Sequence, residues 1–132
     1  MNRRRYLQTV AAAGVAAAAS SATAAAANPI QLHCDLDCDP KRQKEMIANF
    51  DRIFKPVITK QPGFVAVKLL RLRQVVVEPG PVSANYRLSI SFETEEQRIT
   101  WVKTADHQKV WPEIEKCLRG KKFNAVLFDP VA

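Results

Sequence analysis

The stretch His33-Cys34-Asp35-Leu36-Asp37-Cys38-Asp39 gathers imidazole, thiol and carboxylate groups, the ligand types that zinc and related ions take. The spacing argues against a metal site. Ile30, Leu32, Cys34 and Leu36 alternate with Gln31, His33, Asp35 and Asp37, the period-two pattern of a strand with one buried face. His33, Asp35 and Asp37 then share one face, and Cys34, Leu36 and Cys38 the other. His107 is the only other histidine, so no metal is expected. At a rise of roughly 3.3 Å per residue, Cys34 and Cys38 lie about 13 Å apart, too far to bridge. Cys38 could pair with Cys117 if the second helical segment ends beside the end of the first strand; otherwise both are core thiols. Three cysteines leave at least one thiol unpaired.

Two places could form a binding site. His33 and Asp35 leave the first strand on the face opposite Leu32 and Cys34. There Arg87, Ser89 or Asn124 could join them in a polar cleft between subunits; the alternative is a wetted interface without chemistry. The second place lies between sheet and helices, where Tyr86, Trp101, His107 and Trp111 could supply aromatic walls and one titratable group. No nucleophile motif, Gly-rich phosphate loop or nucleotide fingerprint is present. Lys68, Arg71 and Arg73 share one strand but carry no glycine-aromatic motif beside them, so no nucleic-acid partner is expected.

The elements that must position these groups follow in order. The first strand begins at Ile30. Asp39-Pro40 reads as an N-cap followed by proline at the first helical position. The helix beyond it carries Met46, Ile47, Phe50, Ile53, Phe54, Val57 and Ile58 on one stripe, with Pro56 bending or shortening its last turns before Pro62-Gly63. A second strand runs from Phe64 to about Gln74, and a third alternates Tyr86, Leu88, Ile90 and Phe92 with polar residues. Glu78-Pro79-Gly80-Pro81 marks the loop between them. Thr94-Glu95-Glu96-Gln97 has capping-box spacing, so a helix starts at Glu95. It turns Ile99 and Val102 inward, with Trp101 as a further inward candidate, breaks around Ala105 to Pro112, and resumes through Ile114, Cys117 and Leu118 until Gly120 ends it. A last strand spans Phe123 to Phe128. The order β-α-β-β-α-β is ferredoxin-like: an α+β fold with a four-stranded antiparallel sheet and both helices on one face. Helices cover one sheet face, so a homodimer through the other is expected.

Ahead of the first strand, Arg3-Arg4 followed by Tyr6-Leu7 resembles the twin-arginine export motif. An alanine-rich apolar stretch and the small residues Ala25-Ala26-Ala27 follow, the order of a signal peptide cleaved after Ala27. The apolar stretch falls short of the roughly 20 residues a membrane helix needs, so no stable membrane anchor is expected. This reading makes residues 1–27 a leader recognised by the twin-arginine translocase, and residues 28–132 one domain of a periplasmic or secreted protein. The formal charge of +7 includes three leader arginines and no leader acids, which leaves +4 on the domain. That excess suits a solvated surface better than a polyanion site.

Lys60-Gln61-Pro62-Gly63-Phe64, Ser91-Phe92-Glu93-Thr94-Glu95-Glu96 and Thr104-Ala105-Asp106-His107 together resemble the antibiotic biosynthesis monooxygenase family of the dimeric α+β barrel superfamily. The likeness spans nearly all of residues 30 to 130. It implies a homodimer that binds a small aromatic or quinol-like molecule, and a cofactor-independent oxygenase reaction or a non-catalytic module of the same fold. In an oxygenase, a base deprotonates an electron-rich aromatic so that its anion reacts with oxygen directly. His107 or His33 could be that base and Arg87 the anion stabiliser. The chain departs from the family in carrying Phe92 where many members have tryptophan and Trp101 where a histidine often stands. It also lacks a strand-one asparagine beyond Asn28, which speaks against haem degradation, and no cofactor is expected.

Overall fold

A computed structural model describes residues 28–77 and 84–132; the expected leader and the Glu78-Pro79-Gly80-Pro81 loop lie outside the described residues. Strand β1 (Ile30–Cys38) ends at Asp39, whose carboxylate accepts the Lys41 N–H at 2.9 Å, with Pro40 in the first turn that follows. The helix then runs as α1 (Gln43–Asn49), a wide π turn (Phe50–Phe54) and α2 (Lys55–Ile58). Pro56 accounts for the wide turn. It has no N–H for the carbonyl one α-turn back and its ring would strike that carbonyl, so the backbone opens upstream rather than stopping.

Strand β2 (Phe64–Arg71) starts beside Gly63, which has φ +81° and accepts the Glu93 N–H at 2.8 Å. A side chain there would collide with Gln97 as well as strain the backbone. Strand β3 (Tyr86–Phe92) leads into α3 (Glu95–Lys103), and the expected capping box is present: Thr94 and Gln97 each accept the other's backbone N–H at 3.2 Å. Helix α4 (Ala105–Glu115) and strand β4 (Leu118–Phe128) complete the domain. The sheet order is β2-β3-β1-β4, with every pair antiparallel. This is the ferredoxin-like α+β fold expected from the element order.

Several local expectations are corrected. The helical break is confined to Thr104, because its hydroxyl caps α4 by accepting the His107 N–H at 3.1 Å. Pro112 sits within α4. Gly120 does not end a helix. Leu118 already pairs with Cys38, and Gly120 (φ +60°) and Lys121 (φ +55°) lie inside β4, near where the β1 register shifts between Leu36 and Cys38. A strand irregularity of this kind uses left-handed backbone, which glycine adopts at least cost. Of the inward candidates on α3, Trp101 is 3% exposed but Ile99 is 38% exposed, so Ile99 does not turn into the core. Strand β2 stops at Arg71, short of Gln74.

The core lies between the helices and the inner sheet face. Leu36, Met46, Phe54, Ile58, Leu88, Phe92 and Ile114 are its large, fully buried side chains. Coverage ends at β4, which is exposed throughout beyond Leu118. Among the described residues no helix is long and apolar enough to cross a membrane.

Candidate functional site

The sheet separates the candidate residues into two groups, one on each face. On the outer face Asp35 stands opposite Arg87 on one neighbouring strand and Asn124 on the other, while His33 stands between Ser89 and Val126. Arg87 donates two hydrogen bonds to Asp35, from Nε at 2.7 Å and Nη2 at 3.2 Å. This pairing holds the Arg87 guanidinium above its usual pKa, chiefly through the side-chain hydrogen bonds. His33 packs against Phe128 with ring centroids 5.3 Å apart, and its buried Nδ1 has no hydrogen-bond partner among the described residues. Leu70, Val126 and Phe128 are exposed large apolar side chains. By register they belong to this same outer face.

On the inner face a cavity of about 200 Å³ lies between the sheet and α3–α4. Trp101, His107 and Trp111 line it, with Phe54 from the first helix, Leu32 and Cys34 from β1 and Phe123 from β4. The aromatic rings support one another. Phe54 meets Trp101 and Trp111 edge-on at 6.1 and 6.5 Å, and Trp111 meets Phe123 at 5.0 Å. The imidazole of His107 lies edge-on to Trp101 at 5.1 Å and stacked near Trp111 at 6.4 Å. Such pairs hold their geometry because ring edges are electropositive and ring faces electronegative. Thr104 ties the histidine to the tryptophan, donating to the Trp101 carbonyl at 2.7 Å and accepting the His107 N–H.

Burial holds the His107 pKa below its usual value, so the neutral imidazole is the resting form near neutrality. Its buried Nδ1 has no hydrogen-bond partner among the described residues. The arrangement therefore offers an apolar aromatic slot with one neutral, titratable ring in its wall. Burial also lifts the Cys34 thiol to about 11, which keeps it protonated and unsuited to nucleophilic work.

Of the residues expected between sheet and helices, Trp101, His107 and Trp111 come together, but Tyr86 does not line this cavity. Its hydroxyl instead donates to Gln43 Oε1 at 2.7 Å, binding β3 to α1. Arg87, Asp35, Ser89, Asn124 and His33 stand across the sheet from His107. Arg87 therefore cannot serve an anion formed in this cavity. The sequence reading missed Arg98, which lines the cavity and donates to Glu95 at 2.6 and 2.7 Å. The available signal was spacing: Arg98 is three residues before Trp101 and four before Val102, on the inward stripe of α3.

Cys38 and Cys117 are neighbours at the junction of β1 and β4, where the Asp39 N–H donates to the Cys117 carbonyl at 2.9 Å. Both are buried free thiols, as is Cys34. Among the described residues no group of three His, Cys, Asp or Glu side chains is arranged to hold a metal ion.

No family model matches the sequence, and no curated protein matches it either. Solved structures do. A Bordetella bronchiseptica protein named for the antibiotic biosynthesis monooxygenases superposes with a TM-score of 0.66 at 18% identity, over 80% of this chain and 99% of that one. This chain has its fold. A Caulobacter crescentus protein with the same naming gives 0.64 at 14% identity, over 80% and 92% of the two chains. A dimeric ferredoxin-like protein of unknown function from Jannaschia sp. CCS1 gives 0.61 at 12% identity, over 79% and 99%. At these identities the likeness is one of fold, and chemistry has to be argued from the site.

Proposed function

We propose that this is an exported, homodimeric protein that binds a small aromatic molecule in the cavity beside His107, and that it oxygenates a quinol-like ligand there without a cofactor. The observation that carries this reading is the cavity itself: about 200 Å³ of aromatic-walled space with a neutral imidazole in its lining. A dry cavity of about 150 Å³ in another protein takes benzene, so this space suits one substituted ring. In the reaction His107 accepts a phenolic proton, the electron-rich ring anion bonds oxygen to form a ring peroxide, the peroxide takes the proton back, and loss of water from that hydroperoxide leaves the oxygenated quinone, while the apolar walls limit contact with bulk water.

The homodimer is supported by the outer sheet face. Leu70, Val126 and Phe128 expose 46%, 47% and 55% of their surface there, beside the Asp35–Arg87 pair. A second copy laid on this face would bury apolar side chains that the helices leave uncovered. Export rests on the arginine pair, the alanine-rich stretch and the small residues before Asn28.

The test is oxygen uptake with hydroquinone and related quinols, for the wild type and His107→Gln. Uptake that depends on His107 supports the oxygenase. Uptake unaffected by the substitution removes His107 as the base, and binding without uptake leaves a non-catalytic module of the same fold.

A further inference from the structure

The cavity's charge makes a choice of ligand that its shape alone does not. Among the residues lining it, Arg98 alone carries a permanent charge, while the rest of the wall is aliphatic or aromatic apart from the Cys34 thiol and His107. The Arg98 side chain is 19% exposed. Glu95 occupies one edge of its guanidinium, accepting from Nε and Nη2. Nη1 donates no hydrogen bond to any described residue. The charge also reaches the middle of the sheet: it acts on Cys34 of β1 against the burial that raises that thiol. A guanidinium has five donors in a fixed planar fork, so holding one carboxylate does not exhaust it. In low-dielectric surroundings a charge-assisted hydrogen bond is strengthened further.

We propose that Arg98 is the anion anchor of this cavity and that the preferred ligand carries an oxyanion on its ring. The ring lies against Trp101 and Trp111, and the ionised oxygen faces the guanidinium. This inference rests on the aromatic-binding reading and sharpens it from any small ring to an acidic one. Arg98 also takes over the anion-stabilising role that the sequence suggested for Arg87, which the fold commits to the other face of the sheet.

The experiment is calorimetric titration of the full chain with benzoate and its neutral analogue benzamide, and with 4-nitrophenolate and 4-nitroanisole. The two pairs separate a carboxylate from a phenolate as the source of the charge. For at least one pair the anion should bind about tenfold or more tightly than its neutral partner, the scale of one charge-assisted hydrogen bond. Arg98→Met should erase that preference while leaving the neutral analogue's affinity in place. Glu95→Gln, which frees the guanidinium, should strengthen anion binding, a gain that a purely structural Arg98–Glu95 bridge would not produce. The proposal is overturned if neutral and charged partners bind equally to the wild type, if Arg98→Met weakens both alike, or if Glu95→Gln leaves or lowers anion affinity. If none of the four ligands binds, the aromatic-binding reading falls together with it. If the neutral analogues bind without anion preference, only the Arg98 proposal falls.

Discussion

His107 and Trp101 meet edge to face across the break between α3 and α4, with ring centroids 5.1 Å apart and planes at 84°. Neither residue is placed by its own helix alone. The Thr104 hydroxyl holds the Trp101 carbonyl on one side and the His107 amide on the other, so the break fixes the relation of the two rings. Thr104→Val preserves the shape and removes both bonds. It should cost about 1 kcal/mol, the typical value of a lost N-cap, measured by urea unfolding. It should also weaken aromatic binding, although Thr104 does not itself line the cavity.

Burial of His107 predicts a particular pH dependence. Its folded pKa lies below the unfolded value near 6.5, so the unfolded chain takes up a proton first as the pH falls. The neutral imidazole therefore carries no penalty above about pH 6.5; stability is lost as the pH drops from there through the folded pKa. Chemical denaturation from pH 8 to pH 5 should show this loss in the wild type, and His107→Gln should remove that part of it.

The two tryptophans should differ in their cost of removal. Trp101 is 3% exposed and packs on Phe54, whereas Trp111 is only partly buried. Trp101→Ala should cost about 3–5 kcal/mol, the range for a large aromatic deleted from a core, and Trp111→Ala distinctly less. Equal costs by equilibrium unfolding would show that the two sites are packed alike.

The proposed dimer makes the outer sheet face sensitive to charge. Val126→Asp and Phe128→Asp should convert a dimer to a monomer in sedimentation velocity while leaving the circular dichroism of the fold intact. Both side chains are already solvent-exposed in one chain, so the single domain loses little by the change. Replacing the partly exposed Asp35–Arg87 pair should alter the stability of the single chain by no more than about 1 kcal/mol.

Much of the fold was legible because its signals are local. The alternation from Ile30 to Asp37, the Asp39-Pro40 start and the Thr94–Gln97 box each draw on residues adjacent in sequence. The errors arose where tertiary context decides. Gly120 has the residue type of a helix terminator, but the pairing of Leu118 with Cys38 draws the chain into a strand before the glycine is reached. Ile99 and Trp101 both read as inward because α3 has little amphipathic contrast to set its phase, and packing on Phe54 decides for the tryptophan. The aromatic set Trp101, His107 and Trp111 could be gathered from the sequence. The alternation along the strands also places Arg87 on the opposite sheet face from this set. The separation of Tyr86 from the set could not be read, because it depends on Gln43 reaching the tyrosine hydroxyl.

A single aromatic ring bound between the two tryptophans beside His107 is what the proposed function requires. The chain contains only Trp101 and Trp111, so its proton–nitrogen correlation spectrum holds two indole N–H signals, and both come from the cavity wall. Titration with hydroquinone under anaerobic conditions tests the claim directly. Both indole signals should shift together along one saturating curve, with resonances of the outer sheet face unmoved. Two indole signals that stay in place while residues around His33 and Arg87 shift would contradict it.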